Sequence, residues 1–164
     1  RVTCEGAAAV TKAVRAATKK PIMVKLTPNV TNVVEIAKAV EAEGADCLSL
    51  INTLLGMRID IRTKRPLLHN NVGGFSGPAI FPVAVRMVWQ VANAVDIDVV
   101  GMGGISTAED AIEMMMAGAK AVQLGTAIFT DPYSPLKVID GIEKYMIENN
   151  IENLSEITGS VKPW

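Results

Sequence analysis

The sequence predicts an α/β chain with an all-parallel sheet, and three observations carry that prediction. Short apolar runs recur at 22–26, 47–52, 97–102 and 121–124, with the length and continuity of strands covered on both faces. Amphipathic helical stretches separate them, so successive strands run parallel with right-handed crossovers. The third and fourth runs each end on glycine followed by a hydroxyl residue and a new helix: Gly103-Gly104-Ile105-Ser106-Thr107, then Gly125-Thr126. Glycines let backbone N–H groups approach a ligand closely, and a helix N-terminus adds partial positive charge. Strand, glycine, hydroxyl, helix, twice in succession, is how a (β/α)8 barrel builds a phosphate site from its last two loops. The expected fold is therefore α/β, about four βα units forming the C-terminal half of a (β/α)8 (TIM) barrel. A phosphorylated ligand is expected at the C-terminal ends of its strands.

The elements follow in order. A helix is expected over 5–18, ending before Lys19-Lys20-Pro21, and the first strand follows at 22–26. The next helix, 31–43, has Val33, Val34, Ile36, Ala37 and Val40 on its inner face and Gly44 as its stop. After the strand at 47–52 comes a long segment, 53–77, whose Arg58-Ile59-Asp60-Ile61-Arg62 alternation predicts a small extended excursion. Loops of this length are uncommon unless functional. The helix at 78–94 has proline in its first turn. Thr107 is the N-cap candidate of the helix at 107–117, with Glu109 and Asp110 at its positive end and Gly118 closing it. A last helix spans 135–149.

A full barrel takes about 250 residues, and 164 residues leave room for half of one. Three arrangements are open: an N-terminal half outside this sequence, association of two copies, or an open doubly wound sheet. The loop chemistry favours the first, with 1–164 as a single domain.

Composition bounds the function. Net charge is −1, with charges scattered along the chain, so no nucleic-acid surface is indicated. No apolar run approaches the ~18 residues of a membrane span, and no signal peptide is visible. Two distant cysteines, Cys4 and Cys47, fit a reducing, cytoplasmic setting better than a disulfide framework. One histidine and no CxxC argue against a zinc or haem site.

Several residues could carry chemistry. Lys25, between Val24 and Leu26, is either a solvated strand-end lysine or a cationic ligand at the barrel mouth. Asn52-Thr53 ends the second strand on the same face, where the amide could serve an amide-rich heterocycle or only the turn. Gly73-Gly74-Phe75-Ser76-Gly77-Pro78 reads as a glycine-rich turn into a helix, which either only caps that helix or brings backbone close to a ligand. His69 reads as a solvated loop residue, and Met114-Met115-Met116 as core packing.

Together, VKLTPNVT (24–31), SLINTLLGM (49–57), GGFSGPAI (73–80), GMGGISTAEDA (101–111) and VQLGTAIF (122–129) resemble the dihydroorotate dehydrogenase family. LTPNVT and INTLLGM are most similar to the class 1B catalytic subunit. The resemblance implies an FMN-dependent (β/α)8 barrel that oxidises dihydroorotate to orotate in pyrimidine biosynthesis. It implies that Lys25, Ile51, Gly77, Gly103, Gly104, Gly125 and Thr126 contact FMN. It also implies that Asn52 and Thr53 bind the orotate ring. A homodimer, and a partner subunit carrying FAD and a [2Fe-2S] cluster that passes electrons to NAD, are implied as well. The family's general-base cysteine lies in an SCPN setting that nothing here matches. Val2-Thr3-Cys4-Glu5-Gly6 lacks that pattern, so Cys4 is not assigned, and no catalytic residue is expected in this chain. The chain alone is expected to be inactive. Two other readings are another FMN barrel, such as a dihydropyrimidine-dehydrogenase-like domain, and a self-associating half-barrel without ligand.

Overall fold

The computed structural model describes residues 3–164. In chain order its elements are α1 (Cys4–Ala17), β1 (Met23–Leu26), α2 (Val33–Ala42) and β2 (Cys47–Leu50). Four short strands follow, β3 (Leu54–Gly56), β4 (Ile59–Asp60), β5 (Arg65–Pro66) and β6 (Gly73–Phe75). Then come α3 (Phe81–Ala92), β7 (Asp98–Met102), α4 (Ala108–Met116), β8 (Ala121–Gln123), α5 (Thr126–Thr130) and α6 (Ser134–Glu148).

The four predicted core strands form one parallel sheet in the order β1-β2-β7-β8, which is also their chain order. Among the described residues strand order does not reverse, so these four strands contain no switch point of the doubly wound kind. The helices pack on one another in sequence, α1 on α2, α2 on α3, α3 on α4 and α4 on α6. This α/β arrangement is consistent with part of a (β/α)8 barrel. Leu48 and Leu50 of β2, central in the sheet, are fully buried among Ala37, Val40, Ala84, Val88 and Val99.

Local chemistry sets the helix ends. Thr107 caps α4: its hydroxyl accepts from Asp110 N–H, and the Asp110 carboxylate accepts from Thr107 N–H at 2.9 Å. The second helix was expected from Thr31 and starts at Val33, because the Asn32 side chain takes the N–H groups of Val34 and Glu35. Val33, Ile36, Ala37 and Val40 are buried as expected, while Val34 is half-buried. Met114 and Met115 are core residues and Met116 is half-buried. Between α4 and α6 the contact is tight: a Cβ on Gly141 would collide with the Ala108 Cβ.

The segment between β2 and α3 corrects the sequence reading. The alternation at 58–62 does form a strand, β4, paired antiparallel with β5. Gly73-Gly74-Phe75, however, is not a turn. It is strand β6, antiparallel to β3 with Leu54 opposite Phe75 and Leu55 opposite Gly74. Glycine is required in that strand for packing: a Cβ on Gly74 would stand 2.6 Å from Thr53 Oγ1. A 3-10 turn, Pro78–Ile80, then leads into α3.

Candidate functional site

The C-terminal ends of the four parallel strands open into one cleft of about 270 Å³. Its walls include Lys25 from β1, Ile51-Asn52-Thr53 after β2, Met102-Gly103-Gly104 at the end of β7, and Gln123 to Thr126 at the end of β8. Eight of the nine site residues expected from sequence therefore meet in one place. Gly77 does not line the cleft but borders it: its carbonyl oxygen lies 2.8 Å from the place a Cβ on Gly104 would take.

Register explains the convergence. Lys25 pairs with Ser49, and Leu50 with Gly101, in adjacent parallel strands, so residues just past the strand ends reach the same level. Ile51 N–H donates to the Met102 carbonyl at 2.9 Å, and Asn52 N–H to the Leu26 carbonyl at 3.1 Å. The Leu50–Ile51 peptide bond is cis. Lys25 is exposed, and its ammonium has no ion-pair partner among the described residues. The Asn52 amide, also exposed, makes no hydrogen bond within them. The ammonium and amide expected to face a ligand thus have no side-chain partner among the described residues.

The glycines play two different parts. Gly103 and Gly104 have φ of 122° and 83°, which L side chains rarely adopt. A Cβ on Gly104 would also lie 2.9 Å from the Phe81 backbone nitrogen. Gly125 is the reverse: its φ is −123°, and a Cβ there would meet nothing within 4 Å. It leads directly into α5, whose first residue is Thr126. The Thr126 hydroxyl donates to Ser76 Oγ at 2.9 Å. A bare backbone at Gly103-Gly104, open space over Gly125 and a helix start at Thr126 make a cradle that fits a phosphate group.

Sequence reasoning missed Ser76, Gln123 and Asn29. Ser76 and Gln123 line the cleft. Gln123 was readable only as part of an apolar run, although its place at a strand's C-terminal end marks it. Asn29 binds the backbone next to Asn52. The cysteines lie elsewhere. Cys4 begins α1 and packs against the core, and Cys47 begins β2 at the opposite end of the sheet. Burial pushes the Cys47 thiol above its ordinary pKa, helped by Asp46 and Asp98. His69 is exposed on the excursion. No cluster of metal-ligating side chains occurs among the described residues, and no helix is long and apolar enough to cross a membrane.

Comparison with known proteins places the sequence in a family. The dihydroorotate dehydrogenase family profile covers residues 3–146. The chain is 60% identical over 152 residues to the dihydroorotate dehydrogenase B (NAD(+)) catalytic subunit of Alkaliphilus oremlandii, covering 93% of this chain and 50% of that protein. It is 54% identical over 160 residues to the subunit of the same name from Porphyromonas gingivalis, covering 98% and 52%. With the subunit so named from Geotalea uraniireducens it shares 58% over 148 residues, 90% and 48% of the two chains. The chain spans about half the length of the curated relatives it matches.

Proposed function

The chain belongs to the dihydroorotate dehydrogenase family, and from that premise we propose that it forms the C-terminal, FMN-gripping half of a class 1B (β/α)8 barrel that oxidises dihydroorotate to orotate in pyrimidine biosynthesis. The observation that carries the proposal is the convergence of Lys25, Ile51, Asn52, Thr53, Gly103, Gly104, Gly125 and Thr126 on one cleft from four separate strand ends.

Each residue has a task there. Gly103-Gly104, with Gly77 beside them, and Gly125-Thr126 hold the phosphate of FMN through close backbone and a helix start. Ile51 contributes backbone to the flavin wall. Lys25 holds a positive charge against the flavin pyrimidine ring, where negative charge gathers on reduction. Asn52 presents a donor and an acceptor to the orotate ring, and Thr53 adds a hydroxyl. When bound, FMN supplies the hydride acceptor.

Among the described residues Lys25 is the only lining residue of the cleft that carries a charge, and a lysine ammonium donates without accepting. On this reading the general base comes from a part of the enzyme other than this cleft wall. The same reading assigns the intact enzyme a homodimeric state, a cytoplasmic location, and a partner subunit with FAD and a [2Fe-2S] cluster that delivers electrons to NAD.

The test is spectroscopic. Protein reconstituted with FMN is expected to be yellow, to release FMN on denaturation and to shift its flavin absorption on adding orotate. Assayed alone with dihydroorotate and an artificial acceptor, the chain is expected to show little or no turnover. A protein that retains no FMN after reconstitution would overturn the proposal.

A further inference from the structure

Asn29 lies in the loop between β1 and α2, three residues beyond the strand end, and is exposed. Its side chain reaches across to the first residues after Asn52. Nδ2 donates to the Thr53 carbonyl at 2.9 Å, and Oδ1 accepts from Leu55 N–H at 3.0 Å. A carbonyl at one residue and an N–H two residues on is what one edge of a strand offers to its neighbour. The Asn29 amide therefore acts as a substitute strand, closing the edge of 53–55 with a side chain where no backbone is available.

Its aim is fixed from behind. The Thr27 hydroxyl accepts from both the Asn29 backbone N–H and Nδ2, each at 3.2 Å. The partners also fix which amide atom is which, since a carbonyl can only face the nitrogen and an N–H only the oxygen. On its far side Thr53 rests against the bare Cα of Gly74. Asn52 has no such restraint on its own side chain. Its direction follows from the backbone on either side: its N–H on the Leu26 carbonyl, and the next residue's carbonyl on Asn29.

We propose that Asn29 is a positioning residue that aims Asn52 and Thr53 at the substrate ring through the Thr53 carbonyl. The inference rests on the reading of Asn52 and Thr53 as the ring-binding pair. It adds a residue that touches neither ring nor flavin and acts only through the backbone. Removing the amide leaves the Thr53 carbonyl and Leu55 N–H to water and lets the segment reorient. Flavin held by Gly103-Gly104 and Gly125-Thr126 is untouched.

The experiment compares the FMN-loaded wild-type protein with Asn29→Ala, Asn29→Asp and Asn32→Ala, titrating orotate by flavin absorption and measuring FMN content and Tm for each. Asn29→Ala is expected to bind orotate about tenfold more weakly (~1.4 kcal/mol), as if misaiming the pair cost about one hydrogen bond to the ring, with FMN content unchanged. Asn29→Asp keeps the acceptor for Leu55 N–H but turns an oxygen toward the Thr53 carbonyl, so it is expected to weaken orotate at least as much. Asn32→Ala removes the cap of α2 and is expected to lower Tm without changing orotate affinity. Asn29→Ala with wild-type orotate affinity overturns the positioning role while leaving the functional proposal intact. So does parallel loss of FMN and orotate, which would mark general damage. Wild-type protein that binds FMN but shows no orotate shift overturns the ring-binding reading and this inference with it.

Discussion

The two ends of the same sheet treat polar groups in opposite ways. At the N-terminal ends of the strands Arg15, Asp46, Glu41, Asp98 and Lys120 are answered by the protein. Arg15 donates to the carbonyls of Gly44, Thr18 and Lys20 and to Asp46 at 2.8 Å, and Asp46 also takes Ile22 N–H at 2.6 Å. Glu41 takes the N–H groups of Asp96 and Ile97 ahead of β7, and Lys120 pairs with Asp98. At the C-terminal ends, Lys25, Asn52 and Gln123 line a cleft with no side-chain partner among the described residues. Groups that satisfy one another stabilise the fold, and groups left over at the other end are available to a ligand. Barrel enzymes divide stability and chemistry between these same two faces.

The sharpest challenge to that division is Gly104→Ala, a substitution at the ligand end that should also unfold the protein. The φ of 83° and the approach to the Gly77 carbonyl and Phe81 nitrogen together predict a loss of about 3 kcal/mol, read from denaturant unfolding. An unchanged midpoint would mean the loop yields easily. Arg15→Ala comes next. It strips hydrogen bonds from three carbonyls and one carboxylate and is expected to cost about 2 kcal/mol, while FMN affinity stays at the wild-type value. A fall in FMN affinity would show the two ends to be coupled.

Gly125→Ala should behave in the opposite manner. Its backbone accepts alanine and its Cβ meets nothing, so stability should hold within about 0.5 kcal/mol. The added methyl should weaken FMN about tenfold, or ~1.4 kcal/mol, in a flavin-fluorescence titration. Unchanged affinity would remove Gly125 from the phosphate cradle.

The smallest effect is a pH dependence. The Ile22 N–H and then the Arg15 guanidinium hold the Asp46 carboxyl below its usual value of 3.8. A carboxylate with a depressed pKa in the folded state stabilises the protein above its unfolded pKa. That stabilisation is lost as pH falls through the folded one. Tm should therefore drop as pH is lowered below about 4, and Asp46→Asn should flatten part of the decline. Asp131 and Asp60, also held below their usual value, act in the same direction. An Asp46→Asn profile parallel to wild type would disprove the contribution.

Much of this was legible in the chain. The four parallel strands and α4 with its Thr107 cap follow from apolar runs and capping chemistry, and the family motifs name nine residues of which eight line the cleft. What escaped was non-local or short. The β3–β6 pair joins Leu54 to Phe75 across the whole excursion, and Gly73-Gly74 has poor strand propensity; the reason for glycine shows only in the folded contacts, Leu68 against Gly73 and Thr53 against Gly74. Pro66 hides β5 from any strand pattern, and α5 is too short for helical periodicity. Asn29 after Pro28 looks like an ordinary turn residue. Its work for Thr53, 24 residues away, exists only once the strands are side by side.

One contact behind the sheet has a consequence for how sequences of this fold can drift. Gly141 on α6 leaves room for the methyl of Ala108 on α4. Neither glycine nor alanine is demanded by backbone conformation at these two helical positions, so Gly141→Ala alone should be damaging and Ala108→Gly alone mildly so. Made together, the two changes exchange the methyl across the same gap and should restore most of the lost stability, a coupling readable in a double-mutant cycle. The methyl belongs to the junction, and either helix can carry it.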